Sequence, residues 1–328
     1  MTSAERILEL LYDRGEGYVG LEELAEAARA DRAAVERLLE ELRQGGQRLE
    51  FSPFTGVRLG RPIRLVARLI ERDLPIRRVG RSVICFDEVD STNDVALEAM
   101  RQPDADGLVV LAESQRRGRG RQGRPWISPP GRNVLLSVLL TEPAGGGPLR
   151  HEALTIAAGL AVAEAIEEAA GPRCDLEWPN DVLLGGAKVA GVLVEAQRRG
   201  GSLGVVVGVG LNVNAAPPPD AVDRAATCLA DALAQPVERT EVVRSLLVRL
   251  DAWVERIEAG RLGELHEEFL ARCRMINQRV VVLCEGRQHT GRVLDVDPLT
   301  GLILACDGGG TSRLPAETST MVSGGRKR

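Results

Sequence analysis

The sequence predicts an α/β (α+β) protein with a small helical unit before its main sheet and a small β unit after it. Three observations carry this. Apolar side chains recur at helical spacing over residues 4–42. Between 83 and 211, six strand-like apolar runs enclose two helical stretches. After Asn277 the chain breaks into short β-rich runs separated by turns.

The first unit builds from Ile7, Leu10 and Leu11, which share one helical face over residues 4–13. Leu21, Leu24, Ala25 and Ala28 repeat the pattern. Asp31 is placed to cap a third helix, striped by Val35, Leu38, Leu39 and Leu42 and stopped at Gly45-Gly46. Residues 47–59 read as two short strands around Ser52-Pro53. Three helices and a hairpin outline a winged helix-turn-helix over residues 1–62. Gly60-Arg61-Pro62 marks a boundary, and 63–82 is a basic connector. Strands are expected at 83–86, 107–114, 133–140, 182–184, 188–197 and 202–211. Helices are expected at 91–101 and 151–170; the alanines of the second suit close packing on a sheet. Ala215–Pro219 is a breaker. Helical period returns over 239–258 through Val242, Val243, Leu246, Leu250, Trp253 and Ile257, and continues through Leu262, Leu265 and Phe269. The remainder, 273–322, reads as a small barrel-like β unit, and 323–328 as a frayed tail.

At 328 residues with 44% hydrophobic side chains, the chain has material for two or three domains with real cores. No apolar run is long enough to span a bilayer, and the N-terminus does not read as a secretion signal, so a cytoplasmic protein with no membrane partner is expected. The six cysteines stand singly, without a Cys-x-x-Cys pair, and the three histidines lie far apart. Reduced, buried thiols follow; a zinc or redox site does not. The net charge of −5 gives no global sign of nucleic-acid binding.

Four segments carry candidate chemistry. Between Arg116 and Arg124, five arginines fall within nine residues, interleaved with Gly118, Gly120 and Gly123, after Gln115 and before Trp126. The glycines formally match a dinucleotide fingerprint. That motif should open a helix, whereas Pro125, Pro129 and Pro130 keep this one a loop. Glycines let a loop fold tightly over a ligand, and guanidinium forks hold carboxylate and phosphate oxygens at two points. The alternatives are a solvated basic loop or a nucleic-acid patch. The second segment, Glu177-Trp178-Pro179-Asn180-Asp181 followed by Gly185-Gly186 and Lys188-Val189-Ala190-Gly191, reads as a hairpin that sets Asp181 beside Lys188. A plain surface ion pair would look the same. Arginines abound, but Lys188 and Lys327 are the chain's lysines, so a compact point charge at 188 is informative. Third, Asp90-Ser91-Thr92-Asn93-Asp94 sits where a strand meets a helix, as cap or as ligand-binding hydroxyls. Fourth, Gly208-Val209-Gly210-Leu211-Asn212 ends an apolar strand, and Asn212 reads as a turn former or a magnesium ligand.

In this order the four segments resemble the biotin–protein ligases, of the bifunctional type that joins the ligase to a biotin-operon repressor. The resemblance runs along nearly the whole chain and implies an ATP-dependent ligase. Biotin and MgATP would give biotinyl-5'-AMP, and biotin would pass to a lysine of a biotin carboxyl carrier domain. It implies a central mixed sheet related to class II synthetase cores over residues 83–272, preceded by a winged helix-turn-helix and followed by an SH3-like barrel. Ser91, Thr92, Asn93, Gln115, Arg119, Gly120, Arg121, Lys188 and Gly191 would then meet biotin. Gly118, Arg121, Trp126, Asn180 and Asn212 would meet ATP or the adenylate. Lys188, Asp181 and Arg121 would be catalytic, with magnesium on Asp181 and Asn212. Two departures stand out. Glu177 replaces the lysine usual before Trp-Pro-Asn-Asp, and a proline-rich stretch replaces the tryptophan expected after Asn214. The family often pairs through its sheet, which makes a homodimer an expectation of the resemblance alone. A repressor role and DNA binding are implied too, but residues 1–62 hold nine basic and twelve acidic side chains, a net of −3, and the third helix carries Glu36, Glu40 and Glu41. Duplex DNA would meet repulsion there. A lipoate or octanoate ligase, and a non-catalytic biotin-sensing regulator, remain the competing readings. The glycine–arginine loop favours biotin over lipoate.

Overall fold

The computed structural model describes residues 1–102, 104–142, 150–199 and 202–324. Of the expected tail, 325–328 lie outside these.

The chain opens with α1 (Ser3–Asp13), α2 (Leu21–Ala28) and α3 (Arg32–Gln44), then the hairpin β1 (Leu49–Ser52) and β2 (Gly56–Leu59). Thr2 and Glu5 cap α1 reciprocally, and Asp31 Oδ1 accepts from Ala34 N at 2.8 Å to start α3, as its position requires. Ile7, Leu11, Leu24, Val35, Leu39 and Val57 close a core of their own. The connector is packed rather than loose. It contains α4 (Ala67–Glu71), whose Leu69 and Ile70 are buried. Arg61 Nη2 donates to Tyr12 O at 2.7 Å, and Ile63 N donates to Glu238 at 3.1 Å.

The main body comprises β3 (Ser82–Val89), α5 (Thr92–Ala99), β4 (Leu108–Gln115), β5 (Val134–Thr141), α6 (His151–Ala170), β6 (Asp175–Glu177), β7 (Asp181–Leu184), β8 (Ala187–Arg199), β9 (Ser202–Leu211), α7 (Leu229–Leu233), α8 (Arg239–Glu258) and α9 (Leu262–Arg272). Its seven-stranded sheet runs β3-β4-β5-β9-β8-β7-β6. It is mixed: β3 and β4 are parallel, the other pairs antiparallel. Period-two alternation sorts its faces. Val134, Leu136, Val138 and Leu140 of β5, with Val205, Val207, Val209 and Leu211 of β9, face α6 and α8 and form the main core. α6 is apolar almost all round because the sheet and α8 bury it from both sides. The opposite face holds Leu139 and Val206 against α5. In the same alternation, the register sets Ser137 opposite Gly208 and Leu135 opposite Gly210. That face therefore has room for a site.

Five antiparallel strands follow: β10 (Arg279–Cys284), β11 (Arg287–Asp297), β12 (Gly301–Cys306), β13 (Thr311–Leu314) and β14 (Ser319–Gly324), ordered β13-β12-β11-β10-β14. All six cysteines are free. Four are buried as expected, while Cys85 and Cys306 are half-buried. Burial pushes the thiols of Cys85 and Cys174 up to about 12 and that of Cys273 up to about 11, so they stay protonated and inert. Among the described residues no helix is long and apolar enough to cross a membrane.

Candidate active site

A cavity of about 450 Å³ opens on the α5 face of the sheet, between α5, the 116–126 loop, the β7–β8 hairpin and the 215–227 segment. Of the residues that the resemblance assigns to biotin, ATP, magnesium or catalysis, all line it except Gly118. Gly118 lies behind the loop, where its carbonyl accepts from Trp126 N at 2.9 Å.

The floor is made of glycine. A Cβ on Gly210 would overlap the Trp126 indole, one on Gly208 would overlap the Asn93 amide, and one on Gly191 would come 3.2 Å from Trp126 Cζ3. Gly191 and Gly210 are cross-strand partners, so the bare patch spans two strands. Glycine inside a strand marks such a close approach. At one end, Thr92 N donates to Gln115 Oε1 at 2.7 Å. Ser137 Oγ donates to Asn93 Oδ1 at 2.6 Å and lies 2.7 Å from Thr92 Oγ1. Asn93 Nδ2 donates to Glu195 at 2.6 Å. Ser91 occupies the N-cap of α5, but its side chain makes no capping bond, so of the two readings of this segment the cap is not met at Ser91. It faces the cavity instead.

The glycine–arginine stretch is a loop with one short turn at Arg121–Gly123 and left-handed Gln122 and Gly123. Its arginines do not form one patch. Arg116 and Arg117 pair with Asp90 outside the cavity. Arg119 makes a two-point contact with Asp94, at 3.0 and 2.7 Å, and meets Glu195 at 2.9 Å. Its hydrogen bonds to Asp94, and then those to Glu195, hold its guanidinium above the ordinary value against the opposing effect of burial. Arg121 leans toward the C-terminal strands and donates to Ser319 O at 2.7 Å and to Ala316 O, while Gln122 donates to Thr320. Burial lowers the Arg121 guanidinium below its usual range.

At the other end, Gly185 and Gly186 turn the hairpin with φ of 58° and 84°. Lys188 Nζ lies 2.6 Å from Asp181 Oδ1, a close contact bent away from good hydrogen-bond geometry, and 5.6 Å from the centre of the Trp126 ring. Asp181 Oδ2 accepts from Arg224 at 2.7 Å, and Arg224 also pairs with Glu177. Asn180 Nδ2 donates to Val192 O at 2.7 Å and fixes the hairpin. Asn212 Nδ2 donates to Thr227 O at 3.1 Å. Among the described residues, Asn212 Oδ1 and Trp126 Nε1 are buried without a hydrogen-bond partner. An acceptor and a donor of two cavity-lining residues are thus left unpaired. Of the two expected magnesium ligands, Asn212 retains an open oxygen, whereas both Asp181 oxygens already meet cations. Among the described residues, no three His, Cys, Asp or Glu ligand atoms converge in this cavity. A magnesium ion here would rely chiefly on phosphate oxygens and water, as that ion commonly does.

Ser137, Glu195 and Arg224 escaped the sequence reading. Ser137 had a signal, as the one polar side chain inside the apolar run 133–140 apart from its leading asparagine. Glu195 and Arg224 had none, because surface acids and arginines are common along this chain.

A model of the biotin/lipoate A/B protein ligase family matches residues 85–212. The bifunctional ligase/repressor BirA of Bacillus subtilis is 33% identical over 252 residues, 75% of this chain and 77% of its own. A biotin–[acetyl-CoA-carboxylase] ligase of Mycobacterium tuberculosis is 35% identical over 258 residues, 75% and 93% of the two chains. The solved structure of the biotin protein ligase from Aquifex aeolicus in complex with biotin and ATP aligns with a TM-score of 0.63 and 27% identity, covering 74% of this chain and 98% of that one. With relatives at this identity along three quarters of its length, and with the cavity motifs from Asp90 to Asn212 inside the matched segment, the chain belongs to the biotin–protein ligases of the biotin/lipoate A/B protein ligase family.

Proposed function

We propose that the chain joins biotin to AMP at the expense of MgATP and then passes the biotinyl group to one lysine of a biotin carboxyl carrier domain. The observation that carries this is a single cavity. It sets a polar cradle (Thr92, Asn93 and Gln115, backed by Ser137) at one end and the Asp181–Lys188 pair at the other, with Trp126 and the 116–126 loop between. A substrate with an uncharged polar head and an anionic tail suits the two ends.

In this reading the first step brings two anions together, the biotin carboxylate and the α-phosphate. Lys188 offsets their repulsion and stabilises the charge that develops as pyrophosphate leaves. Magnesium, held by Asn212 and by phosphate oxygens, would supply further neutralising charge. Arg119 and Arg121 act as the ends of the loop. Arg119 anchors it to α5 and β8, Arg121 anchors it to the C-terminal strands, and the backbone between them covers the mixed anhydride and keeps water out. In the second step the acceptor amine attacks the anhydride carbonyl and AMP leaves. Asp181 takes the amine's proton once Lys188 has turned to the phosphate. We further read residues 1–62 as a winged helix-turn-helix and 273–322 as an SH3-like barrel. A repressor role gains no support from α3, whose Arg32 and Arg43 pair with Glu36 and Glu40 of the same helix.

One incubation tests the reading: full-length protein, ATP, an apo carrier domain, and labelled biotin or labelled lipoate. Biotin should appear on one carrier lysine, only with ATP. Label from lipoate instead would assign the lipoate reading, and no label from either would leave a non-catalytic sensor.

A further inference from the structure

The 215–227 segment crosses the mouth of the cavity, where Pro217, Ala221 and Val222 form part of the wall. Backbone bonds hold both ends. Asn133 Oδ1 accepts from Val213 N at 2.9 Å and from Ala215 N at 3.2 Å. Lys188 N donates to Ala225 O at 2.9 Å, and Thr227 N donates to Lys188 O at 2.9 Å. Near the far end, the side chain of Arg224 bridges to the wall opposite, donating to Asp181 Oδ2 at 2.7 Å and to Glu177. Glu177 and Asp181 are cross-strand partners in β6 and β7, a placement that sets two negative charges against each other. Arg224 lies between them, and Lys188 holds the remaining Asp181 oxygen at 2.6 Å. Charges therefore alternate along this wall: Glu177, Arg224, Asp181, Lys188.

We infer that Arg224 is a positioning residue: anchored on Glu177, it clamps the 215–227 segment over the nucleotide end of the cavity and holds Asp181 beside Lys188. Calling that end the nucleotide end rests on the ligase reading. The clamp also accounts for Glu177. A lysine there would repel Arg224, so acid at 177 and arginine at 224 form a matched pair supplied from opposite walls.

The size of the effect decides how to test it. Arg224 is 42% exposed, and an ion pair that wet contributes little, so truncation to alanine is a weak probe. Charge reversal is a strong one, because Arg224→Glu crowds three carboxylates with Lys188 as the nearby cation. Two quantities are read on the full-length protein: hydrogen exchange at the Thr227 amide without ligands, and KM for ATP and for biotin in adenylate formation. Arg224→Glu is expected to speed exchange and to raise KM for ATP, each about tenfold, with KM for biotin within about twofold. Glu177→Arg should act in the same direction. The double exchange Glu177→Arg/Arg224→Glu should restore both quantities to within about threefold of the parent. Reversal without effect on exchange or KM, or a double variant no better than the worse single one, overturns the clamp. So does a fall in kcat with an equal rise in both KM values. If the parent protein forms no adenylate, the ligase reading fails, and the exchange rates still decide for or against the clamp.

Discussion

Gly208 and Gly210 lie on the cavity face of β9, and their missing side chains are what allow Asn93 and Trp126 to reach the sheet. A methyl group at 210 meets a rigid indole that is itself packed on Gly191, so the ring has to move. Overpacking of this kind costs about 1–3 kcal/mol. Gly210→Ala is therefore expected to raise KM for ATP about tenfold, read from adenylate formation at saturating biotin. Gly204→Ala is the control. The added methyl meets the flexible end of Met100 at the far end of the same strand, and KM should stay within about twofold. Equal values for the two variants would remove the glycine floor from the account.

At the scale of elements, the body is stitched by one buried ion pair. Arg239, at the N-terminus of α8 and 2% exposed, donates to Glu113 of β4 at 2.6 and 3.2 Å and to the carbonyls of Asn133 and Ile63. Leu65 N donates to the same carboxylate at 2.9 Å. One contact thus fixes sheet, helix and connector together. Arg239→Met leaves the Glu113 carboxylate buried with only Arg64, 3.9 Å away, as a cation, and should cost about 3 kcal/mol in chemical denaturation. Adding Glu113→Gln should recover part of that loss. If the single variant unfolds at the parent's midpoint, the stitch contributes nothing. The long helices were legible in the sequence: α8 begins and ends where its periodicity placed it, and α6 where its alanine-rich stretch did. The elements that were missed are short. β6 spans three residues, while α4 and α7 span five each, less than the window over which a period can be read. β13 and β14 lie among turn residues whose composition gave no alternation. Tertiary packing, not local preference, orders these pieces.

Across the whole molecule, a similar division separates what could be read from what could not. The cavity's walls were legible as four local motifs, because each needs particular residue types within a few positions. Their joints were not, since each joins residues distant in sequence. Arg121 reaches Ser319, Arg224 reaches Glu177, and Tyr12 of α1 reaches Glu241 of α8. The first two bring the C-terminal strands and the 215–227 segment to the cavity, and the third ties the N-terminal helices to α8 on the other face of the sheet. The central claim is that this cavity uses Lys188 to gather two mutually repelling anions. Biotin-dependent exchange of labelled pyrophosphate into ATP measures that step alone, without an acceptor protein. Exchange should appear only when biotin is present and should fall at least about a hundredfold in Lys188→Ala, a loss of roughly 2.7 kcal/mol of transition-state stabilisation. Exchange that proceeds without biotin, or at the parent rate in Lys188→Ala, would contradict it.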